Sequence, residues 1–356
     1  MTDTRLAETG SDSTEGSLDS SVANRETPIL EVNNLVMNYE MKSGMVSAVE
    51  GVSFKLPKGK SLGLVGESGC GKTSVALTLM QLTASNARIL DGEIKLDGEN
   101  LLGLSDEEMR RRRWNDVSMV FQGAMNSWNP VYTVGEQIRE TMDIHWDPKP
   151  TASQARAKIE ELFNLVGINP EMIDRYPHEF SGGMKQRAVI AMALACDPKL
   201  IIADEPTTAL DVIVQEQILE ELRKIQDEFG MSIIYISHDI AVIAEITNLI
   251  GVMYAGKIVE LGPTTDIFAN PRHPYTWLIL SSTPSITGPR RILAPLEGEP
   301  PNLLDPPSGC RFHPRCPFAT QKCVDEEPPL ADIEPGHAVA CWHHDQVPVT
   351  LAKVQA

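Results

Sequence analysis

No stretch of about 18 consecutive apolar residues occurs in the 356 residues, so the sequence offers no helix to span a bilayer. The N-terminus lacks the basic, then apolar, then small-residue order of a secretory signal, and the expected compartment is the cytosol. Positive charge is short: 31 Lys and Arg stand against 49 Asp and Glu, a net charge of −18 that repels nucleic-acid phosphates overall. No nucleic-acid partner is therefore expected. The one concentrated basic run, Arg110 to Arg113, reads as the solvated face of a short helix. Sustained heptads are absent as well, so no long coiled coil is expected. What is present, 42% hydrophobic and 22% charged residues, describes a globular protein with a sizeable core and room for an accessory segment.

The rest of the chain is organised around Gly66-Glu67-Ser68-Gly69-Cys70-Gly71-Lys72-Thr73. The apolar run Leu62 to Val65 before it fits a buried parallel strand, and Thr73 to Leu82 fits the helix that follows. Between them, Gly66, Gly69 and Gly71 let the backbone close around an anion, and the amides at the helix start point at it. Ser68 and Cys70 belong to the same phosphate-binding loop, Cys70 at a variable position. Lys72 reaches the outer phosphates of a nucleotide, and the Thr73 hydroxyl is placed for Mg²⁺.

Residues 1–27 are rich in Ser, Thr, Asp and Glu and read as a disordered acidic tail. Strand-like segments follow at Ile29 to Val36 and Val49 to Leu56, with Met41 to Met45 read as an extra loop. Tyr39 beside that loop serves either to stack on a nucleobase or to fill the rim of the core. Gly92 to Leu96 reads as a strand, and Ser105 with Glu108 forms a capping box opening a helix through Arg113. Val117 to Phe121 is a buried strand ending at Gln122, placed to touch Mg²⁺ or an attacking water. Helical periodicity fills Thr133 to Met142, Ala152 to Val166 and Gly182 to Ala195. Ser181 caps the last of these, and Gly182 and Gly183 leave its amides open to a second anion.

Leu200 to Ala203 is a strand buried on both faces, and Asp204 and Glu205 emerge at its carboxyl end. Asp204 is placed to hold Mg²⁺, and Glu205 to orient or deprotonate water. Thr208 to Asp211 opens a helix running to about Phe229, with Asp211 near its positive end. His238 ends the strand Ile233 to Ser237 on the same edge as Glu205. Leu249 to Tyr254 and Lys257 to Leu261 read as a hairpin around Ala255-Gly256, closing the nucleotide domain near residue 262.

Of six cysteines, Cys70 and Cys196 read as inert thiols, whereas Cys310, Cys316, Cys323 and Cys341 fall together after a Pro-rich linker at Pro284 to Pro307. In a reducing cytosol such clustering points to a metal rather than to disulfides. The spacing C-x5-C-x6-C-x17-C matches neither common zinc ribbons nor the tight ferredoxin run, and four thiolates permit zinc or a 4Fe-4S cluster. His313, His337, His343 and His344 are spare ligands or surface histidines. The segment has too little apolar content for a core of its own, which predicts that a metal staples it.

The set Gly66 to Thr73, Gln122, Phe180 to Met184, Leu200 to Glu205, Thr208 to Asp211 and His238 resembles an ABC-type ATPase, with every motif in order, over about residues 28–345. The resemblance implies an α/β fold: a P-loop NTPase domain of ABC type at 28–262, with a mixed β-sheet core and a helical subdomain at about 123–197. A C-terminal extension with the Pro-rich linker follows at 263–308, then a small Cys-rich metal-binding segment at 309–345 and a tail at 346–356. It implies a head-to-tail pair of ATPase subunits sandwiching ATP and Mg²⁺, Ser181 and Gly183 contacting the nucleotide held by the partner's phosphate loop. Glu205, His238 and Gln122 take the catalytic roles in that family. Because this chain carries one copy, the second ATPase is itself or a related subunit.

Phe121 to Pro130, Val131 to Gly135, His273-Pro274-Tyr275-Thr276 and Cys310 to Pro317 are similar to the oligopeptide/dipeptide importer ATPases. That subfamily implies docking on two transmembrane permease subunits at the cytoplasmic face of the membrane, supplied by an extracytoplasmic solute-binding protein. Some of its members carry a 4Fe-4S cluster in this segment with cysteines in this order, so the cluster is the reading, with zinc or no metal the alternatives. Gly123-Ala124 and Trp128 depart from the usual pattern, which is expected to alter the permease-facing loop. The rival readings are a soluble ABC ATPase outside transport and a redox-gated ATPase regulator. DNA-repair ABC proteins carry a long coiled coil and translation members two nucleotide domains, and neither feature is found here.

Overall fold

The computed structural model describes residues 28–208, 210–282 and 298–348; the N-terminal tail, most of the Pro-rich linker and the last residues of the tail lie outside them. Strands β1 (Pro28–Met41) and β2 (Gly44–Pro57) form one long hairpin, with Met41 paired to Gly44. The expected loop at Met41 to Met45 is thus a tight turn, and both strands run further than their buried residues alone indicate. Strand β3 (Ser61–Val65) leads into the phosphate loop and helix α1 (Lys72–Leu79). Strands β4 (Ala87–Leu96) and β5 (Glu99–Asn100) follow, then α2 (Asp106–Arg112) behind the Ser105–Glu108 capping box. β6 (Val117–Val120) gives way to α3 (Val134–His145), α4 (Ala152–Leu165) and α5 (Gly182–Ala193).

Then β7 (Leu200–Asp204), α6 (Val212–Phe229), β8 (Ser232–Ser237) and α7 (Ile240–Ala244) alternate. β9 (Leu249–Tyr254) and β10 (Lys257–Pro263) make the expected hairpin, Ala255 and Gly256 both at positive φ as a tight two-residue turn requires. The remainder is α8 (Thr264–Ala269), α9 (Pro274–Ser282), α10 (Gln321–Asp325), β11 (Ala331–Glu334) and β12 (His337–Val339).

The larger sheet runs β11-β12-β10-β9-β3-β8-β7-β6, parallel from β9 through β6, and a smaller antiparallel sheet runs β2-β1-β4-β5. Period-2 geometry splits each central strand between two cores. Leu62 and Leu64 of β3, Leu200 and Ile202 of β7, and Ile234 and Ile236 of β8 pack with α1 and the smaller sheet. Ile201 and Ala203, with Ile233 and Tyr235, pack against the helical side. This is why those strands are unbroken apolar runs. All parallel strands therefore end on one edge, where the polar motif residues emerge. Among the described residues no helix is long and apolar enough to cross a membrane.

The Cys-rich segment needs no core of its own, because it borrows the core of the cassette. β12 pairs antiparallel with β10, Glu260 opposite Val339. Phe312 packs on Tyr254 and Tyr275 with ring centroids 5.1 and 5.4 Å away. The Glu260 carboxylate, wholly buried, accepts the Arg272 and His273 N–H groups at 2.7 and 3.0 Å and bonds His337 Nε2 at 2.8 Å. Strand pairing, aromatic packing and a buried carboxylate thus fasten the segment to the cassette, contacts that the segment's composition did not show.

Candidate active site

Glycine is required twice in the phosphate loop. At Gly66, φ is +152° and a Cβ would sit 2.1 Å from the Met253 carbonyl oxygen; at Gly71, φ is +107° and a Cβ would meet the Ala48 carbonyl oxygen at 2.3 Å. Ser68 and Gly69 face solvent at the loop tip. Lys72 is buried and folds back on the loop, donating to the Gly66 and Glu67 carbonyls at 2.7 and 3.0 Å. Burial pushes the Cys70 thiol up, against the opposing Lys72 charge, so it stays a neutral packing group. Tyr39 is half-buried, its hydroxyl 3.3 Å from Ser74 Oγ in the first turn of α1.

Asp204 and Glu205 leave the end of β7 in different surroundings. Asp204 is buried and its Oδ1 has no hydrogen-bond partner, which is the mark of a carboxylate waiting for a cation. Burial raises its pKa, the Thr73 hydroxyl and Lys72 pull against that, and the Glu205 charge adds to it. Thr73 is exposed on the same side. Glu205 sits at φ +47° and receives three polar contacts: Gln122 Nε2 at 2.8 Å, Thr208 Oγ1 at 2.9 Å and His238 Nδ1 at 3.3 Å. Burial works to raise its pKa, and those three partners outweigh it and hold the carboxyl below the ordinary Glu value. The structure thus brings Lys72, Thr73, Asp204, Glu205, Gln122 and His238 to one edge.

Ser181, Gly182 and Gly183 are not part of that cluster. Ser181 Oγ caps α5 by accepting the Met184 N–H at 3.2 Å, and Ser181 and Gly182 are exposed on the helical side. Asp211 caps α6, accepting the Val214 N–H at 3.0 Å, with Val212 and Ile213 open to solvent beside it. Ala209 lies outside the described residues. The Arg110 to Arg113 run is spent on local partners: Glu107 for the first two, Glu99 and Asp116 for Arg112, and the Met80 and Gln81 carbonyls for Arg113.

The departure at Trp128 does not alter an outward-facing loop. Trp128 is buried in the helical core with Ala124, its Nε1 donating to the Lys185 carbonyl at 3.3 Å. Phe121, Val131 and Tyr132 are the large apolar side chains exposed there. Sequence reasoning also missed Arg315, whose guanidinium forks onto Glu67 of the phosphate loop. An arginine between two clustered cysteines carries no signal for that contact.

The four clustered cysteines are free thiols lining one small cavity with His313 and His343. Burial pushes Cys310 up, Cys316 to about 11 and Cys341 to about 12, with the neighbouring thiols adding to each shift. Among the described residues no group of three or more His, Cys, Asp or Glu is drawn together to hold a metal ion. His337 is not a spare ligand, being bonded to Glu260. Cys196 is buried in the helical core and likewise raised, to about 12, by burial.

Residues 49–208 match the ABC transporter family, and residues 259–323 match the oligopeptide/dipeptide transporter C-terminal region. The chain is 45% identical over 319 residues to the dipeptide transport ATP-binding protein DppD of Lactococcus lactis, covering 89% of this chain and 91% of that protein. It is 44% identical over 323 residues to the oligopeptide transport ATP-binding protein OppD of Bacillus subtilis, covering 89% of each. The fold is similar to the dimeric post-hydrolysis structure of the ATP-binding cassette MJ0796 bound to ADP and Pi, with TM-score 0.60 and 25% identity over 66% of this chain and 98% of that one.

Proposed function

The chain belongs to the ATP-binding subunits of ABC transporters, in the oligopeptide/dipeptide group, and we propose that it closes and opens as a pair around ATP to drive peptide import through two permease subunits. It is an ATPase, and its hydrolysis is coupled to transport. The observation that carries the catalytic reading is the edge where Asp204, with an unpartnered buried oxygen, stands beside a Glu205 held from three sides.

The loop from Gly66 through Thr73, with Ser68, Gly69, Cys70 and Gly71, binds the phosphates, and Lys72 exchanges its two loop carbonyls for the outer phosphate oxygens. Asp204, Thr73 and Gln122 would hold Mg²⁺, which would supply charge neutralisation at those oxygens. Glu205 accepts the proton of the attacking water, and its low pKa keeps it ionised for that purpose. His238 and Gln122 fix its rotamer, and His238 turns to the γ-phosphate when ATP is in place. Tyr39 stacks on the base. Ser181 and Gly182, exposed and away from their own loop, with the half-buried Gly183 beside them, are free to meet the nucleotide of a second copy or a related subunit, with Asp211 at the seam.

The four thiols, free and lining one cavity, are the donor set a 4Fe-4S cluster takes, with zinc the alternative. Such a cluster would supply a redox-active centre beside the cassette. An extracytoplasmic solute-binding protein completes the importer, and the subunit works on the cytoplasmic face of the membrane. The test is mass spectrometry of what co-purifies from gently solubilised native membranes. Two multi-spanning permeases and a second ATPase are expected; a chain that comes alone, or with ribosomes or DNA, overturns the reading.

A further inference from the structure

Glu67, the second residue of the phosphate loop, is gripped by two elements far along the chain. Arg315 Nη1 lies 2.6 Å from its Oε2 and Nη2 lies 3.0 Å from Oε1, a bidentate fork with the arginine side chain 5% exposed. The guanidinium also donates to the Tyr254 hydroxyl at 3.3 Å and lies over that ring. Meanwhile the fully buried Tyr275 accepts the Glu67 backbone N–H on its hydroxyl at 2.9 Å. The carbonyl of the same residue accepts from Lys72. Side chain, N–H and C=O of one loop residue are therefore all held.

The electrostatics give this grip a purpose. A carboxylate at the mouth of a site that receives a polyanion repels its ligand, and in a partly buried setting water screens that repulsion poorly. The forked guanidinium cancels the charge and turns the carboxylate toward the C-terminal segment.

We propose that Arg315 is a positioning residue for ATP binding: it neutralises Glu67 and, with Tyr275, sets the entry of the phosphate loop, making the C-terminal segment part of the nucleotide site. This rests on the assignment of the 66–73 loop as that site.

The experiment measures affinity of the full-length chain for a fluorescent ATP analogue. Arg315→Ala is expected to weaken binding about tenfold. The double variant Arg315→Ala/Glu67→Gln, which removes the uncompensated charge, is expected to recover most of that loss. Tyr275→Phe, which removes one hydroxyl, weakens binding about threefold. Wild-type affinity in Arg315→Ala, or a double variant no better than the single, overturns the proposal, because a merely structural arginine is not rescued by neutralising Glu67. If Arg315→Ala does not fold, Arg315→Gln with and without Glu67→Gln carries the same comparison. A wild-type chain that binds no ATP overturns the family reading of the loop instead.

Discussion

The Gln122 amide donates to Glu205 at 2.8 Å, joining the ends of two neighbouring parallel strands whose residues stand 83 positions apart in sequence. With Thr208 and His238 it leaves Glu205 a single orientation. Glu205→Gln is therefore expected to bind ATP but lose hydrolysis by about 10²–10⁴-fold, read as phosphate release at saturating ATP. Turnover within a few-fold of wild type would remove Glu205 from the role of base.

The same contacts set the acid limb of the pH profile. A carboxyl held below its ordinary value of about 4.3 remains ionised as pH falls through the weakly acidic range. Removing one stabilising partner raises its pKa in the ATP-free chain, so His238→Ala moves the acid limb of kcat/KM to higher pH. By the same sign, the stability this group contributes is present above its unfolded pKa and lost as pH falls through its folded value. A limb that stays in place in the variant would show that His238 does not hold this charge.

Trp128 is expected to matter for stability rather than for docking. Trp128→Ala empties a site in the helical core and should cost about 3–5 kcal/mol in denaturant unfolding. Trp128→Phe loses chiefly the bond to the Lys185 carbonyl, about 1 kcal/mol. A neutral Trp128→Ala with impaired assembly on the permeases would reverse that conclusion.

The attachment of the C-terminal segment turns on Glu260. Glu260→Ala strands His337 and two backbone N–H groups in a buried place, a loss of about 3–5 kcal/mol. Limited proteolysis should then cut within residues 298–348 before the cassette itself. Equal resistance in variant and wild type would mean that the carboxylate is not the fastening.

For the four thiols the expectation is a brown anaerobic preparation with equal iron and acid-labile sulfide, lost in Cys316→Ser. Because β12 and Phe312 fasten the segment without metal, that variant should keep its protease resistance. A colourless protein with stoichiometric zinc would exclude the cluster.

The strands carrying the active edge were legible because burial on both faces leaves an unbroken apolar run, as in Leu200 to Ala203 between charged and turn residues. The capping box at Ser105 and the Ala255-Gly256 turn were legible for similarly local reasons. Trp128 was not, since an aromatic among loop residues reads alike whether it faces a partner or fills a core. Nor was the docking of the C-terminal segment: β12 is three residues long, and Phe312 finds its partners Tyr254 and Tyr275 far away in sequence. Pairings at such range leave no period to read.

Strand β12 also closes off the flank of β10, and β11 becomes the outermost ribbon of the larger sheet. That ribbon is four residues long and carries Asp332 and Glu334. A short, acidic margin gives a neighbouring molecule little to zip onto, whereas β10 laid bare would present Ile258 and Val259 with a row of open backbone groups. Cutting the chain after the hairpin would therefore yield a sticky protein prone to sheet-to-sheet clumping, and the C-terminal segment serves as its solubility cover.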